Sequence, residues 1–224
     1  MVWLQLTRLL RYLDTRFTKL ANQMIIDIEK TLSPLRQPFV IVEDGTSQTD
    51  LRNNGRVGFH VERLFGIRPN SHRDPDLGSW EIKTTRPGTK VSIGTMPADE
   101  FWRIKHSSSH IFSLSEPYKK MKNTLFVFYE KIEDYPDPVY IMRGWGTCEL
   151  DRLSATTKSI IENDYKFICG EIARRASRET LTDYLKKYGV ISGNYLSLAY
   201  KGDRDYVYPA WSFTGKFMNS ILHK

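Results

Sequence analysis

The sequence predicts an α/β or α+β fold, formed as one domain over residues 1–224. Apolar residues recur at helical spacing in residues 3–32, and residues 149–188 also have a helical pattern. Short runs rich in β-branched and aromatic residues lie between these regions, and no linker divides the chain. Because both kinds of segment mix along a chain of domain length, we expect them to share one fold. Residues 1–38 are predicted to form an N-terminal helical segment, and residues 39–224 the rest of the domain.

The individual elements follow from local patterns. Pro34 and Pro38 end the first helical region, because proline cannot continue a helix. A second helix is expected to start near Asn54 and to end at Gly66, because the apolar residues between them form one stripe. The polar stretch 99–122 is predicted to be loop and short helix. Strands are predicted at five places, residues 39–42, 80–85, 123–132, 138–150 and 194–200. The last segment, 210–222, is predicted to be a helix or a strand followed by a helix.

The overall charge indicates a polyanionic partner. The chain has 33 Lys and Arg against 26 Asp and Glu, a formal net charge of +7, and its pI is near 9.3. Nucleic acid is the commonest partner of such a basic chain, although charge alone is weak evidence for it. Hydrophobic residues make up 40% and charged residues 26%, which argues against disorder over the whole chain.

The cysteines and the apolar runs exclude other classes. Only Cys148 and Cys169 occur, so a disulfide framework is excluded, and we expect both thiols in the core. No apolar run approaches the ~18 residues that span a bilayer. Arg8, Arg11 and Asp14 interrupt the first segment, which therefore lacks the apolar region of a signal peptide. These observations predict a cytoplasmic protein without a membrane partner.

The segment around residues 76–83 carries the strongest chemical signal. Residues two apart in a strand share a face, so Glu81 and Lys83 are expected to lie on one side and Ile82 on the core side. Asp76 lies just before the strand, and Gly78 lets the chain turn so that the two carboxylates converge. Two carboxylates and an ammonium group in a small volume are costly unless a divalent cation neutralises them. The alternative is a solvated ion pair at a sheet edge.

The preceding helix supports the first interpretation. Gly55, Gly58 and Glu62 lie at spacings of three and four, so they share one helix face. Each glycine inside a helix costs about 1 kcal/mol relative to alanine. The pattern therefore indicates that another backbone, of protein or of DNA, approaches this face. The alternative is tight packing of the helix on the sheet.

Residues 53–86 resemble the active-site region of the MutH-like branch of the PD-(D/E)XK nucleases. The pattern is a G-x-x-G-x-x-x-E helix, a loop with an aspartate, and a strand carrying Glu-Ile-Lys. The version D-L-G-x-W-E-I-K at residues 76–83 is most similar to the monomeric restriction enzymes of the MvaI/BcnI type. The resemblance implies a restriction-endonuclease-like α/β fold, with a mixed β-sheet flanked by helices. It also implies a sequence-specific endonuclease of type II that acts on double-stranded DNA. It also implies Mg²⁺ as cofactor, with Mn²⁺ as a possible substitute.

The resemblance also implies roles for single residues. The implied metal ligands are Asp76, Glu81 and Ile82. Some members place the aspartate seven residues before the glutamate, which would select Asp74, but the Leu-Gly context favours Asp76. The implied catalytic set has four members: Glu62, Asp76, Glu81 and Lys83.

A second group of residues is expected to contact DNA. The run over residues 115–131 is similar to a basic segment that enters a strand in MutH, which implies that Lys120 or Lys122 lies near DNA phosphates. Lysine and arginine donate to phosphate oxygens without reading sequence. A merely solvated loop is the alternative for several of these positions. The expected DNA-binding residues are Arg86, Lys105, His106, Lys119, Lys120, Lys122, Lys201 and Arg204.

The sequence also departs from the resemblance. Ala199 and Tyr200 stand where MutH has a base-reading arginine–proline element, and Gly94 and Thr95 stand where MvaI/BcnI-type enzymes carry a histidine. A recognition sequence is therefore not transferable. Two alternative functions remain, a MutH-like nuclease that nicks DNA in mismatch repair and a non-catalytic DNA-binding module. The protein is expected to act as a monomer or a homodimer.

Overall fold

The structure, a computed structural model, describes residues 27–41, 56–67, 79–107, 110–133, 138–202 and 207–222. The helices are α1 (27–32), α2 (Arg56–Leu64), α3 (Ala98–His106), α4 (Glu116–Met121), α5 (Ala155–Ala173), α6 (Arg178–Tyr188) and α7 (Gly215–Ile221). The strands are β1 (Phe39–Val40), β2 (Glu81–Thr85), β3 (Val91–Thr95), β4 (Asn123–Glu133), β5 (Val139–Glu149), β6 (Val190–Ser192), β7 (Leu196–Gly202) and β8 (Val207–Phe213).

The strands form two four-stranded sheets. The first sheet has the order β1-β5-β4-β2 and is mixed, because β2 runs parallel to β4 while the other pairs are antiparallel. The second sheet has the order β3-β8-β7-β6 and is antiparallel throughout. The turn over residues 86–90 leads from β2, at the edge of the first sheet, to β3, at the edge of the second. The chain therefore brings two sheet edges together.

Alternation along β4 separates the two hydrophobic cores. Leu125 and Val127 point into a smaller core that α1 and α2 cover. Phe126 and Phe128 point into a larger core shared with the second sheet and with helices α3, α5, α6 and α7. This is the period-two pattern of a strand that is buried on both faces. The first sheet is consequently a middle layer, with helices on one side and the second sheet on the other.

These observations confirm the predicted fold class, a mixed sheet flanked by helices, and add a second sheet. The expected strand-plus-helix ending is confirmed as β8 followed by α7. The stretch 99–122 is more helical than predicted, because Phe101 and Ile104 give α3 a fully buried face within a polar sequence. The expected helical segment 1–38 lies outside the described residues up to residue 26, as does the expected helix start at Asn54.

The cysteines behave as core residues. Cys148 and Cys169 are both buried free thiols, as predicted. Burial raises the pKa of the Cys148 thiol to about 12. Among the described residues, no helix combines the length and the apolar character needed to cross a membrane.

Candidate active site

The strand β2 displays the predicted pair at the open edge of the first sheet. Glu81 and Lys83 point to the same side, and Lys83 Nζ donates to a carboxylate oxygen of Glu81. Their side chains keep 13% and 28% of their exposure, so the pair is partly withdrawn from water. Ile82, between them, is buried in the smaller core together with Leu125 of β4. The alternation expected from the sequence is therefore present.

Glu81 lies in a cleft of about 830 Å³ between the two sheets. We call the part formed by Ser79, Glu81 and Asn123 the first-sheet side. The part formed by β3, Tyr208 of β8 and the adjoining helices is called the second-sheet side. Its lining includes residues 93–99, Glu116, Lys119, Lys120, Arg178 and Tyr208.

The charges in the cleft are partly paired. Lys119 lies 3.3 Å from the carboxylate of Glu116, one turn away on the same helix. The stem of Lys120 crosses Gly94, where a Cβ atom would come to 3.6 Å from Lys120 Cγ. Asp99 is exposed in the first turn of α3. Glu81 is thus paired with Lys83 and Glu116 with Lys119, while Asp99, Lys120 and Arg178 also line the cleft.

Helix α2 packs against the other face of β2. A Cβ atom at Gly58 would lie 3.5 Å from Thr84 Oγ1, an ordinary contact with a side chain of the strand. Thr84 alternates with Lys83, so α2 covers the face opposite to Lys83 and Glu81. Glu62, four residues after Gly58, is half-buried on this helix. At Gly58 the structure favours the packing interpretation, while Gly55 lies outside the described residues.

The structure describes only some of the expected metal ligands. Asp74 and Asp76 lie outside the described residues. Ile82 has an apolar, buried side chain, so only its main-chain carbonyl could bind a cation. Within the described part of the chain, no three His, Cys, Asp or Glu side chains are grouped so that they could hold a metal ion. Of the predicted carboxylate pair, the structure describes Glu81 alone.

The expected DNA-binding residues separate into two groups. Lys119 and Lys120 line the cleft with Glu81. The others lie outside this cleft. Lys105 Nζ donates to the carbonyl of Arg175, and His106 stacks on Trp102. Lys122 pairs with Asp151 at 3.7 Å, and Arg86 lines a separate cavity of about 600 Å³. Lys201 is exposed near the end of β7, and Arg204 lies outside the described residues.

Several cleft residues lie outside the predicted site, including the carboxylates Asp99 and Glu116. Three others are Arg178, Tyr208 and Asn123, which line the cleft together with Glu81. They come from α6, β8 and the start of β4, which are far apart in the chain. No local motif marks them, because only the pairing of the strands brings them to one place.

Comparison with known proteins agrees with this part of the fold. The model of the MvaI/BcnI restriction endonuclease family matches residues 39–112, which are 74 of the 224 residues. The predicted resemblance to MvaI/BcnI-type enzymes is thereby confirmed, whereas nothing confirms the MutH-like branch. The match includes Glu62, Glu81 and Lys83 and ends before Lys119.

A solved structure is also similar to the chain. It is described as a complex of the restriction endonuclease MvaI with its cognate DNA substrate. It has 9% sequence identity and a TM-score of 0.49, and the alignment covers 90% of this chain and 96% of that chain. No curated protein sequence matches the chain significantly.

Proposed function

We propose that this protein is a Mg²⁺-dependent endonuclease that hydrolyses phosphodiester bonds of double-stranded DNA at specific sequences, as a cytoplasmic type II restriction enzyme. The observation that carries the proposal is the Glu81–Lys83 pair at the edge of the first sheet, whose Glu81 lines an open cleft. The same pair lies inside the stretch that matches a family of restriction endonucleases. A monomer or a homodimer would be consistent with this activity.

The side chains present fit a hard divalent cation. Glu81 and Asp76 would hold Mg²⁺, together with the main-chain carbonyl of Ile82, since oxygen ligands are those that Mg²⁺ prefers. The cleft beside Glu81 has room for the waters and the phosphate that complete such a site. When bound, Mg²⁺ supplies charge neutralisation at the scissile phosphate and an activated water, and Mn²⁺ is expected to substitute for it.

The side chains of the protein would orient the reacting groups and bind the DNA. Lys83 would donate a hydrogen bond that orients the attacking water or the phosphate oxygen beside Glu81. Lys119 and Lys120 would neutralise phosphates of the bound duplex along the cleft. Glu62 would contribute to catalysis from helix α2, which packs on the face of β2 opposite to Glu81 and Lys83. Hydrolysis with release of the 3′-oxygen leaves 5′-phosphate and 3′-hydroxyl ends.

The experiment that tests this function is incubation with phage λ DNA and Mg²⁺, followed by sequencing of the fragment ends. We expect discrete fragments that share one sequence and carry 5′-phosphates. Discrete nicks without double-strand breaks would favour the strand-nicking alternative. Binding of DNA without cleavage in Mg²⁺ or Mn²⁺ would instead identify a non-catalytic module.

A pair of variants in the same assay tests the choice of aspartate. Asp76→Asn is expected to lose cleavage by about 10²-fold or more, because it removes a charged ligand of the cation. Asp74→Asn has the same change of charge two residues away and is expected to cleave normally. Loss of cleavage in Asp74→Asn together with an active Asp76→Asn would reverse the assignment.

A further inference from the structure

Arg178 lies on the second-sheet side of the cleft and is held in a fixed place. It is the first residue of α6, whose start is set by a capping box between Ser177 and Thr180. One terminal nitrogen of its guanidinium donates to the carbonyl of Met96 at 2.8 Å, just after β3. The helix and the strand edge together determine where this cation points.

Most of the guanidinium is not used by the fold. An arginine has five N–H donors, and the bond to Met96 uses one of them. Among the described residues, Arg178 forms no ion pair with a carboxylate, and its Nε is buried without a hydrogen-bond partner. Arg174 and Arg175, shortly before it, both pair with Glu171. Glu179, the next residue, acts on Arg178 only through space, so Arg178 is a positioned cation that no described carboxylate contacts directly.

The space around Arg178 connects two clefts. The cleft that contains Glu81 and a smaller one of about 230 Å³ beside α6 share Arg178 and Tyr208 in their linings. The guanidinium lies 5.9 Å from the centre of the Tyr208 ring, which keeps 38% of its exposure. Tyr208 is paired with Lys201 across β7 and β8, and such cross-strand neighbours share a face of the sheet. The two clefts thus meet at Arg178 and Tyr208. The smaller one is also lined by Glu179, Asp183 and Lys186, and Lys201 lies beside Tyr208 on the sheet.

We propose, building on the proposed function, that Arg178 binds a backbone phosphate of the DNA on the second-sheet side of the cleft. Its planar fork matches two oxygens of a phosphate, and Tyr208 backs the guanidinium and reduces its freedom. A phosphate would supply the direct ionic contact that no described carboxylate makes with Arg178. The contact holds the duplex at a point away from the scissile bond, so it contributes to affinity and leaves sequence preference unchanged.

The test is DNA binding by Arg178→Gln, made in a Lys83→Ala background so that the DNA stays intact. The matched control is Arg174→Gln, which removes the same charge at an exposed position outside both clefts. Binding of duplexes of several unrelated sequences is measured over a range of salt concentrations. We expect Arg178→Gln to lose about tenfold in affinity for every sequence, and its log–log salt slope to become shallower by about 0.9. Arg174→Gln should keep both values.

A second measurement uses the unaltered protein and does not depend on the folding of a variant. Phenylglyoxal modifies accessible arginines, and mass spectrometry reports each site. DNA should protect Arg178 and leave the labelling of Arg174 unchanged.

Several results would overturn the inference. Equal labelling of Arg178 with and without DNA is one, and a lower melting temperature with an unchanged salt slope is another. A loss of affinity confined to particular sequences would show base reading instead. If the wild type cleaves DNA while Arg178→Gln binds normally, this inference alone fails; if the wild type neither binds nor cleaves DNA, the proposed function fails with it.

Discussion

The two sides of the cleft differ in how they are built. The first-sheet side depends on a local segment, in which Glu81 and Lys83 are two residues apart on one strand and pair directly. The second-sheet side is assembled from distant segments, with Lys120 from α4, Arg178 from α6 and Tyr208 from β8. The first side holds the groups suited to chemistry, and the second holds cations suited to binding.

The difference indicates that the proposed catalysis and the proposed DNA binding require different arrangements of side chains. Chemistry requires a fixed geometry between a few atoms, which one strand provides through its own alternation. Binding of a long polyanion requires charges spread over a surface, and these can come from any element that reaches it. Substitutions on the first-sheet side are therefore expected to change the cleavage rate, and substitutions on the second-sheet side to change DNA affinity.

The largest effect is expected from Lys83→Ala on the first-sheet side. This change should abolish cleavage, a loss of about 10³-fold or more, because it removes the donor beside the reacting phosphate. DNA affinity without divalent cation should remain nearly that of the wild type, since Lys83 is paired with Glu81 and is not needed to hold the duplex. Single-turnover cleavage and equilibrium binding measure the two quantities. Cleavage within tenfold of the wild-type rate would show that the pair has no catalytic role.

A smaller effect is expected from Lys120→Ala on the second-sheet side, with Lys122→Ala as its control. Lys120 lines the cleft, whereas Lys122 lies 3.7 Å from Asp151 outside it. Lys120→Ala should weaken DNA binding about tenfold and make the salt slope shallower by about 0.9. Lys122→Ala should change both much less, because Lys122 lies outside the cleft and beside Asp151. Equal losses in the two variants would contradict the separation of these lysines.

The smallest effect is expected from Glu100→Gln, beneath the second-sheet side. Glu100 is buried on α3, where its carboxylate accepts hydrogen bonds from the Glu116 backbone at 3.0 Å and from Trp211 Nε1 at 3.2 Å. It thereby connects the start of α4, which carries Lys119 and Lys120, to β8. Glutamine has one acceptor oxygen in place of two, so we expect a loss of about 1 kcal/mol in the free energy of unfolding and unchanged cleavage.

The pH dependence of stability gives the same variant a second readout. Burial raises the pKa of Glu100 above its ordinary value, because the charged carboxylate loses solvation. The folded state then holds this proton more tightly, so the free energy of unfolding falls as the pH rises from the ordinary pKa toward the raised one. Denaturant titrations in this interval should show a flatter dependence for Glu100→Gln. An identical dependence in both proteins would show that Glu100 does not titrate there.

The first-sheet side could be predicted from the sequence because its signals are local. The alternation from Trp80 to Thr85 predicts which residues point to the core, and the structure bears this out at Ile82. The position of Lys83 beside Glu81 follows from the same period of two. The role of both in catalysis stays a prediction, as does the choice between Asp74 and Asp76.

The second-sheet side could be predicted only in part, since it depends on long-range pairing. The sequence predicts Lys119 and Lys120 as DNA contacts and both line the cleft, whereas nothing in it singles out Arg178. Lys105, Lys119 and Lys122 look equivalent in the sequence, yet Lys105 binds the carbonyl of Arg175 and Lys122 binds Asp151. Arg178 falls in a region with a clear helical pattern and no motif, so nothing local distinguishes it from Arg174. Burial and partners, which only the packed chain defines, decide which of these cations reach the cleft.

The pairing of β3 with β8 also sets an order of events during synthesis. All strands of the first sheet lie within residues 39–149, so they can pair once that part has emerged from the ribosome. Val91 of β3 is opposite Phe213 of β8, more than half of the chain later. The edge with Glu81 and Lys83 can therefore form before the second-sheet side of the cleft. Under the proposed function, a nascent chain would carry the catalytic groups before it could bind DNA tightly, and it would become active only after β8 has been translated.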